Sequence, residues 1–464
     1  MEPSLQMREV VVSVAPSPVV SSLNFPGRTS LFYYPACNVL ARDGADPDLL
    51  KAGAEFGETL FLFFKGVRRL RAVRESLQHP TFLYVEPWRT CNLSCTYCYA
   101  GAGPTFHKRL PLDKVKSLVR RNRFKDVMVY GGDPLVDKSY LASLLNLTQW
   151  DSFFFSTNGA LMNESFQREL QRTPNASLQV SVEPQEWANR VNSAGRKGID
   201  LALPKLKLFA GTDFGFRLVI PSGSPYVPIE GFIRTLEESV GNSNFSVCYW
   251  PAYEKHLPPW IGRWIDESLS LMRSDPKRFE GKLPGESVAT QVMRGGRFFR
   301  YYYCNAAYGS VAIGPDGLLH ACHHNAILEN DRDVVSRDDD PEAIDPTKAL
   351  RITDAWTTNM NSAVCSGCSA RYFCGGGCFQ GAPPSAECEF REAFLPLALT
   401  DMTVYDGAIV DKLASRSRAM FWAIYSKKDE LEEEIRSQQW RDMVSGAMPS
   451  SEVAAMAMQF DGLL

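Results

Sequence analysis

The chain has 464 residues, too many for one ordinary hydrophobic core and suited to two or three domains. Its hydrophobic fraction of 45% and charged fraction of 22% are typical of a soluble globular protein. The formal net charge of −3 argues against a nucleic-acid partner, because nucleic-acid binders usually carry a basic surplus. No run of about 18 apolar residues predicts a membrane span, and residues 1–26 lack the order of a secretory signal, so we expect a cytoplasmic protein without a membrane partner.

The first predicted region, residues 1–80, contains two short β-rich segments and then a long helical stretch. The segments are 10–14 and 31–35, and helical apolar spacing follows over 46–77. We therefore predict an N-terminal α/β region, and its role in binding a substrate or a peptide leader stays open.

Between residues 81 and 255, β-rich runs alternate with helical stretches. The six predicted strands are 82–88, 126–130, 152–156, 178–183, 214–221 and 244–250. The predicted helices between them are 112–123, 138–147, 165–172 and 229–240. This alternation implies right-handed crossovers and a parallel sheet. Because a full barrel needs eight such units, we predict an α/β fold with a partial (β/α)6 barrel.

The remainder of the chain is predicted to divide into three parts. Residues 256–295 form a helical connection, residues 296–390 form a loop-rich region that holds most of the cysteines, and residues 391–464 form a helical tail.

Ten of the twelve cysteines fall into two clusters. Disulfides are not expected in a reducing compartment, and closely spaced cysteines there indicate metal or redox chemistry. Three lie between Cys91 and Cys98, and seven lie between Cys304 and Cys388. The two that stand alone, Cys37 and Cys248, are expected to be small buried hydrophobic side chains.

The first cluster has the spacing C-x3-C-x2-C, formed by Cys91, Cys95 and Cys98 directly after the first barrel strand. Three thiolates can hold a 4Fe–4S cluster through three irons and leave the fourth iron open. Zinc is the alternative, but structural zinc needs four ligands, and no fourth cysteine or histidine lies nearby at zinc-finger spacing.

The segment CNLSCTYCY, residues 91–99, resembles the signature motif of the radical S-adenosylmethionine (SAM) superfamily. The resemblance implies that the open iron binds the amino and carboxylate groups of SAM. It also implies that an electron from the cluster cleaves SAM into methionine and a 5′-deoxyadenosyl radical, which abstracts a hydrogen atom from the substrate. A flavodoxin- or ferredoxin-type protein is the implied electron donor.

Three further motifs resemble SAM-binding segments of that superfamily, and each ends its own predicted strand, where such barrels build active sites. YGGDP (130–134) resembles the GGE-P turn, with Asp133 in place of the usual Glu, and STNG (156–159) and VSVEP (180–184) end the next two strands. Taken singly, these are ordinary turn sequences. On this resemblance we predict nine SAM-binding residues: Tyr97, Gly131, Gly132, Asp133, Thr157, Asn158, Ser181, Glu183 and Arg190.

The second cysteine cluster resembles the SPASM domain, an extension of radical SAM enzymes that modify peptides and proteins. It combines the spacing C-x12-G-x4-C, the run C-x2-C-x5-C-x3-C and a final cysteine. The alternative interpretation of these cysteines is a pair of zinc ribbons. The resemblance assigns one auxiliary 4Fe–4S cluster to Cys365, Cys368, Cys374 and Cys388, and a second to Cys304, Cys322 and Cys378. The second would have an open iron or a ligand other than cysteine. We therefore predict three 4Fe–4S clusters and SAM as cofactors.

We favour an enzyme that oxidatively modifies a residue of a ribosomally synthesised peptide, through a cross-link, a thioether or an epimerised centre. The alternatives are a protein maturase of the sulfatase-activating kind and a small-molecule or cofactor-biosynthesis enzyme. Sulfatase-activating relatives carry an Asp base directly after the cysteine of the G-x4-C element, where this chain has His323. A histidine can act as a base near neutral pH, so His323 is a candidate catalytic residue.

Overall fold

The computed structural model describes residues 19–285 apart from gaps at 43, 45, 77–79, 106–107, 123, 149, 174 and 210–213. It also describes residues 309–324, 334–349, 385–405 and 407–445, with shorter pieces at 352, 364–365, 368–371, 378, 448, 452–453 and 456. Two predicted cluster ligands, Cys304 and Cys374, and the predicted strand 10–14 lie outside these residues.

The N-terminal region is a small antiparallel sheet followed by one long helix. The sheet has the order β1-β2-β3 and consists of β1 (Val20–Ser21), β2 (Leu31–Tyr34) and β3 (Val39–Arg42). The helix α1 spans Pro47–Ser76. The strand predicted at 31–35 and the helix predicted at 46–77 are confirmed. The sequence did not predict β1, which has two residues, or β3, which is buried at three successive positions and so shows no alternation.

An eight-stranded sheet forms the centre of the molecule. Its strands are β4 (Phe82–Val85), β6 (Asp126–Val129), β7 (Ser152–Thr157), β8 (Ala176–Val182), β10 (Phe214–Ile220), β11 (Ser246–Pro251), β12 (Ser310–Ile313) and β13 (Leu319–His320). A separate two-stranded ribbon pairs β5 (Ser94–Cys95) with β9 (Arg190–Val191). The order of the central sheet is β11-β10-β8-β7-β6-β4-β12-β13, and all of its neighbouring strands are parallel except β12 and β13. The six predicted parallel strands are confirmed.

Along these strands, fully buried residues alternate with half-buried ones, so the two faces of the sheet differ. The fully buried face packs under helices: the ring of Phe155 on β7, for example, lies 5.3 Å from that of Phe166. The half-buried face, which includes Ser181, Arg217 and Trp250, lines a cavity on the concave side. One alternation pattern therefore supplies both the hydrophobic core and the walls of the candidate site.

The helices of the barrel layer lie between the strands and near their ends. They are α2 (Leu112–Arg121), α3 (Lys138–Leu145), α4 (Glu164–Gln171), α5 (Gly198–Ala202), α6 (Ile229–Val240), α7 (Ile261–Ser274) and α8 (Pro276–Phe279). Side-chain caps fix two of the starts, because Asp137 accepts from the amide of Tyr140 and Asn163 from that of Phe166, both at 3.0 Å. Gly241, with φ of +85°, ends α6 in the left-handed conformation that favours glycine.

The sheet is two strands larger than the six-stranded barrel predicted from the sequence. Strand β12 comes from the predicted loop-rich cysteine region and pairs in parallel with β4, Ser310 opposite Phe82. The run SVAI is only four residues long and is fully buried, so it has no alternating pattern by which it could be recognised. Pairing with β4 covers an edge of the barrel sheet and places Cys322, two residues beyond β13, beside the barrel.

The predicted helical tail is confirmed, and it packs against the N-terminal region. Its helices are α9 (Ala386–Tyr405), α10 (Gly407–Tyr425), α11 (Lys428–Arg436) and α12 (Gln438–Ser445). The Thr400 hydroxyl of α9 accepts a hydrogen bond from the amide of Leu23, and Trp440 of α12 stacks on Phe63 of α1 at 5.9 Å. Among the described helices, none alone is long and apolar enough to cross a membrane. The pair α9 and α10 meets that criterion only when taken together, across a bend of 118°.

The contact between α1 and α12 depends on a glycine. A Cβ atom at Gly66 would lie 2.1 Å from the indole of Trp440, so Gly66→Ala should push the two helices apart and destabilise the protein by about 1–3 kcal/mol. Gly262→Ala is the matched control, since Gly262 lies in α7 with no atom within 4 Å of its added Cβ. Thermal unfolding should show a lower Tm for the first variant only, and equal Tm values would contradict this packing.

Candidate active site

The three cysteines of the first motif lie on one loop that lines the central cavity. The loop follows β4, and it is tied down by the short ribbon in which Cys95 of β5 lies opposite Arg190 of β9. Cys91, Cys95 and Cys98 all line the cavity, which encloses about 950 Å³ including its open mouth. The cavity lies at the carboxyl ends of the parallel strands, as the sequence predicts.

The two glycines after β6 allow the next turn to pack directly on the cysteine loop. An added Cβ at Gly132 would lie 2.1 Å from the carbonyl oxygen of Thr90, and one at Gly131 would lie 2.6 Å from the side chain of Glu86. Gly131 also has φ of +109°, which favours glycine. The amide of Gly132 donates to the carbonyl of Trp88 at 2.9 Å, so the absence of side chains is what permits this backbone pairing.

The carboxylate of Asp133 joins two strand ends. It is buried and accepts hydrogen bonds from the Thr157 hydroxyl at 2.8 Å, the Asn158 amide at 2.7 Å and the Leu135 amide at 2.9 Å. Burial raises the pKa of Asp133, while these three hydrogen bonds oppose the rise. The backbone amide of Asp133 donates to the carbonyl of Thr90 at 3.0 Å. Asp133 therefore fixes the β6 turn, the β7 turn and the cysteine loop to one another.

Asn158 connects the β7 turn to the first cysteine. Its side-chain amide lies 3.5 Å from Sγ of Cys91 and donates to Oδ1 of Asn92 at 2.9 Å. Its own Oδ1 accepts from the amide of Ala160, which holds the side chain in place. The STNG turn thus positions a hydrogen-bond donor at a thiol, a common second-sphere contact of cysteine ligands.

Arg190 is a buried cation next to the cysteine loop. Burial opposes its charge, but Tyr97, Cys95 and Glu183 lie close enough to raise its pKa. Glu183 in turn accepts from the backbone amide of Arg190 at 3.0 Å. This arrangement places one fixed positive charge on the cysteine side of the cavity.

Most of the predicted SAM-binding residues are brought together by the fold. Eight line the cavity: Tyr97, Gly131, Gly132, Asp133, Thr157, Asn158, Ser181 and Arg190. The ninth, Glu183, is fully buried and lies behind Arg190, outside the set of lining residues. Contact of these residues with SAM stays a prediction.

The thiols have the surroundings of cluster ligands. Burial raises the pKa of Cys91 to about 12, so its thiolate needs a compensating positive charge such as a metal. Backbone amides two residues further on point at sulfur in Cys91 (3.4 Å), Cys322 (3.2 Å) and Cys368 (3.3 Å). Within the described parts of the chain, no three His, Cys, Asp or Glu side chains meet closely enough to bind one metal ion. A 4Fe–4S cluster differs in that each cysteine binds its own iron.

Three aromatic side chains, Tyr99, Trp250 and Tyr253, form an aromatic wall that also lines the cavity. The rings of Tyr99 and Tyr253 are 5.7 Å apart, and His324 stacks on Tyr99 at 5.2 Å. Desolvation raises the pKa of both tyrosines, and the Cys322 thiol adds to the rise at Tyr99 as the Cys378 thiol does at Tyr253. Cys322 therefore lies near Tyr99, and Cys378 lies near Tyr253.

Sequence reasoning missed Arg217, Trp250 and Tyr253, although all three line the cavity. They lie on or just beyond β10 and β11, and no motif in the sequence marks them. Within β10 and β11, Arg217 and Trp250 lie on the half-buried face of the strand. The sequence pattern identifies that face, but only the curvature of the sheet shows that it lines a cavity.

His323, the candidate base, lies behind the aromatic wall. Its ring stacks on Tyr84 at 4.9 Å and meets Tyr130 edge-on at 5.3 Å. Desolvation, His324 and Arg217 lower the pKa of His323 to about 3. The ring is therefore neutral and a weak base in this environment, and a catalytic role for it stays a prediction. The nearby His320 is buried, and its Nε2 forms a hydrogen bond with Oδ2 of Asp316 at 2.8 Å.

Of the remaining described cysteines, three lie near one another, and their role as cluster ligands stays a prediction. Cys365 and Cys368 lie on one turn, and the Cys365 thiol is close enough to Cys388 to raise its pKa, together with the larger effect of burial. Of the two lone cysteines, Cys37 is buried as expected, whereas Cys248 is only half-buried.

A substitution at Gly132 tests whether the turn after β6 holds the cysteine loop in place. Gly132→Ala should displace the Thr90 carbonyl, shift Cys91 and lower the iron bound after reconstitution, at a cost in stability of about 2 kcal/mol or more. Gly103→Ala is the control, because Gly103 accepts from the amide of Cys91 yet has open space at its Cβ position. Equal iron content in the two variants would show that the close approach does not hold the loop.

Comparisons with known proteins agree with this geometry. A family model described as the Radical SAM superfamily matches residues 85–198. A probable GTP 3′,8-cyclase of Archaeoglobus fulgidus is 24% identical over 106 residues, which cover 22% of this chain and 36% of that protein. The chain thus spans little more than a third of the length of this curated relative.

Two solved structures share the fold. The structure of polyhistidine-tagged anSMEcpe with bound AdoMet has a TM-score of 0.55 and 16% identity, covering 73% of this chain and 98% of that one. Native anSMEcpe with bound AdoMet and Cp18Cys peptide has a TM-score of 0.53 and 13% identity, covering 72% and 99%. The α/β fold with its partial barrel is therefore that of radical SAM proteins. Residues 85–198 therefore form a radical SAM domain, within an α/β fold that the chain shares with two AdoMet-bound structures.

Proposed function

We propose that this enzyme is of the SPASM type, with two auxiliary clusters, and that it oxidatively modifies a residue of a ribosomally synthesised peptide. One observation carries the proposal. The cavity is lined both by Cys91, Cys95 and Cys98 and by the aromatic wall, which has Cys322 and Cys378 next to it. A substrate in this cavity would have proposed ligands of two clusters near it.

The residues on the cysteine side suit a 4Fe–4S cluster and SAM. The three cysteines would hold the cluster, and the cavity beside them contains a buried cation, Arg190, and the anchored turns of Asp133 and Asn158. When bound, this pair of cofactors supplies a 5′-deoxyadenosyl radical that takes a hydrogen atom from the substrate. The chain itself would orient SAM through these turns.

The second set of cysteines supports an oxidative reaction. Loss of a hydrogen atom leaves a substrate radical, which must give up one more electron to become a closed-shell oxidised product, and an auxiliary cluster can accept that electron. Cys322 and Cys378 lie next to the aromatic wall, and Cys365, Cys368 and Cys388 group separately. With Cys304 and Cys374, which lie outside the described residues, these are the two proposed ligand sets.

A peptide substrate is supported by the shared fold, since the anSMEcpe neighbour holds the Cp18Cys peptide together with AdoMet. The other candidates are a protein maturase and a small-molecule enzyme. The cyclase relative matches only the barrel segment common to the superfamily, so it gives little support to a nucleotide substrate. We also propose a flavodoxin- or ferredoxin-type electron donor, a cytoplasmic location, and the domain limits 81–255 for the barrel and 296–390 for the auxiliary-cluster region.

Removal of the first cluster tests the assignment of the reactive site. The triple variant Cys91→Ala, Cys95→Ala, Cys98→Ala should lose about four of roughly 12 irons per chain and all reductive formation of 5′-deoxyadenosine. Cys37→Ala is the matched control, because Cys37 is a buried cysteine remote from the motif. Iron analysis and quantification of 5′-deoxyadenosine measure both effects. Continued SAM cleavage by the triple variant would show that the reactive cluster is elsewhere.

Iron content also tests the auxiliary clusters. The anaerobically reconstituted wild-type protein should hold about 12 irons per chain, in three 4Fe–4S clusters. A preparation that repeatedly held about four irons, or bound zinc instead, would contradict the SPASM assignment while leaving the radical SAM assignment intact.

A further inference from the structure

Arg217 is a cation inside the cavity without a carboxylate partner among the described residues. It lies in the middle of β10, in register with Ser181 on β8 and Cys248 on β11. It is half-buried, lines the cavity, and its guanidinium lies 6.0 Å from the ring centre of Trp250. By contrast Arg391, 5.7 Å from the same ring, forms an ion pair with Glu387 at 2.9 Å.

The two arginines of the cavity act on different walls. Arg190 lies with Cys95, Tyr97 and Glu183, on the side where we place SAM. Arg217 lies 6.0 Å from the ring centre of Trp250, and its charge opposes the burial-driven rise in the pKa of Tyr99 and Tyr253, so it lies next to the aromatic wall. The charge of Arg190 is thus balanced by nearby Glu183, whereas the charge of Arg217 faces the part of the cavity that SAM would leave free.

We propose that Arg217 binds a carboxylate of the substrate, offered by an acidic side chain or by the C-terminus of a peptide, while Trp250 and Tyr253 pack against the adjoining apolar part. This inference rests on the proposed function, because it assumes a substrate beside SAM. It adds the chemical class of group that the substrate must present and the residue that selects it.

The chemistry of the pocket favours a carboxylate over other anions. A guanidinium offers a planar pair of donors that matches both carboxylate oxygens, and such a charged, bidentate pair is stronger than a neutral hydrogen bond. A di- or triphosphate would bring several negative charges, whereas the part of the cavity next to the aromatic wall has one cation, Arg217. A single carboxylate neutralises Arg217 without leaving an excess of charge in the cavity.

Binding of small probes to the reconstituted, SAM-loaded protein tests the proposal by anaerobic calorimetry. N-acetyl-glutamate N-methylamide represents an acidic side chain, N-acetyl-alanine a C-terminus, and N-acetyl-glutamine N-methylamide the matched neutral group. At least one acidic probe should bind about tenfold more tightly than the neutral probe, as expected for a charged hydrogen bond, and which of the two does so identifies the source.

Variants identify the residue responsible. Arg217→Gln should abolish the preference for the acidic probe, and Arg217→Lys, which keeps the charge, should retain part of it. Arg263→Gln is the control, since Arg263 lies over the ring of Tyr226 at 3.6 Å and is not a cavity-lining residue, and it should keep the full preference.

Three results would overturn the proposal: no preference in the wild type, an unchanged preference in Arg217→Gln, or tighter binding of inorganic phosphate than of either carboxylate. Loss of SAM binding in Arg217→Gln with retained probe binding would instead assign Arg217 to SAM and also overturn it. The proposed function is judged separately, by 5′-deoxyadenosine formation and iron content in the wild-type preparation.

Discussion

The buried carboxylate of Asp133 is the constraint on which the site depends. Three donors from two strand ends converge on it, and its own backbone amide reaches the cysteine loop through the carbonyl of Thr90. Burying a carboxylate is costly unless its oxygens are hydrogen-bonded, and here they are. These hydrogen bonds therefore offset the cost of burying the carboxylate, and they hold together three loops that are distant in the sequence. The shorter Asp side chain, in place of the Glu usual in the GGE-P turn, fits a role in joining loops.

The glycine pair next to Asp133 complements this anchor. Because Gly131 and Gly132 have no side chains, the turn after β6 can pack directly on the backbone of the cysteine loop. Backbone hydrogen bonds between the two segments then hold the loop in place. Cluster ligands on a flexible loop would have to be ordered when the metal binds, with a cost in conformational entropy. A loop held in advance by the turns after β6 and β7 reduces that cost, which links the turn motifs to cofactor loading.

Local patterns in the sequence were sufficient to predict the barrel strands, most of its helices and the convergence of the turn motifs. The strands alternate visibly, and the carboxyl ends of parallel strands must meet at one edge. The two strands β12 and β13 could not be predicted, because their runs are short and lie within a cysteine-rich stretch. Arg217 and Trp250 were missed for a different reason. Their place in the cavity depends on how the sheet curves, which no local pattern encodes. Glu183, a predicted SAM contact, is fully buried and accepts from the backbone amide of Arg190, and its contact with SAM stays a prediction.

The position of β12 and β13 has a consequence for chemistry. By extending the sheet beyond β4, they bring Cys322 next to Tyr99 and Tyr130 instead of leaving it in a separate domain. The cavity is then bounded by the first cysteine motif and by the aromatic wall, with part of the second cysteine set just beyond. Iron-edge anomalous diffraction from anaerobic crystals of the reconstituted protein with SAM would test this account most directly. It predicts iron at Cys91, Cys95 and Cys98, a second cluster beside Cys322 and Cys378 across the Tyr99–Tyr253 wall, and a third at Cys365, Cys368 and Cys388. Iron at the first position alone, or a zinc signal at the other two, would contradict it.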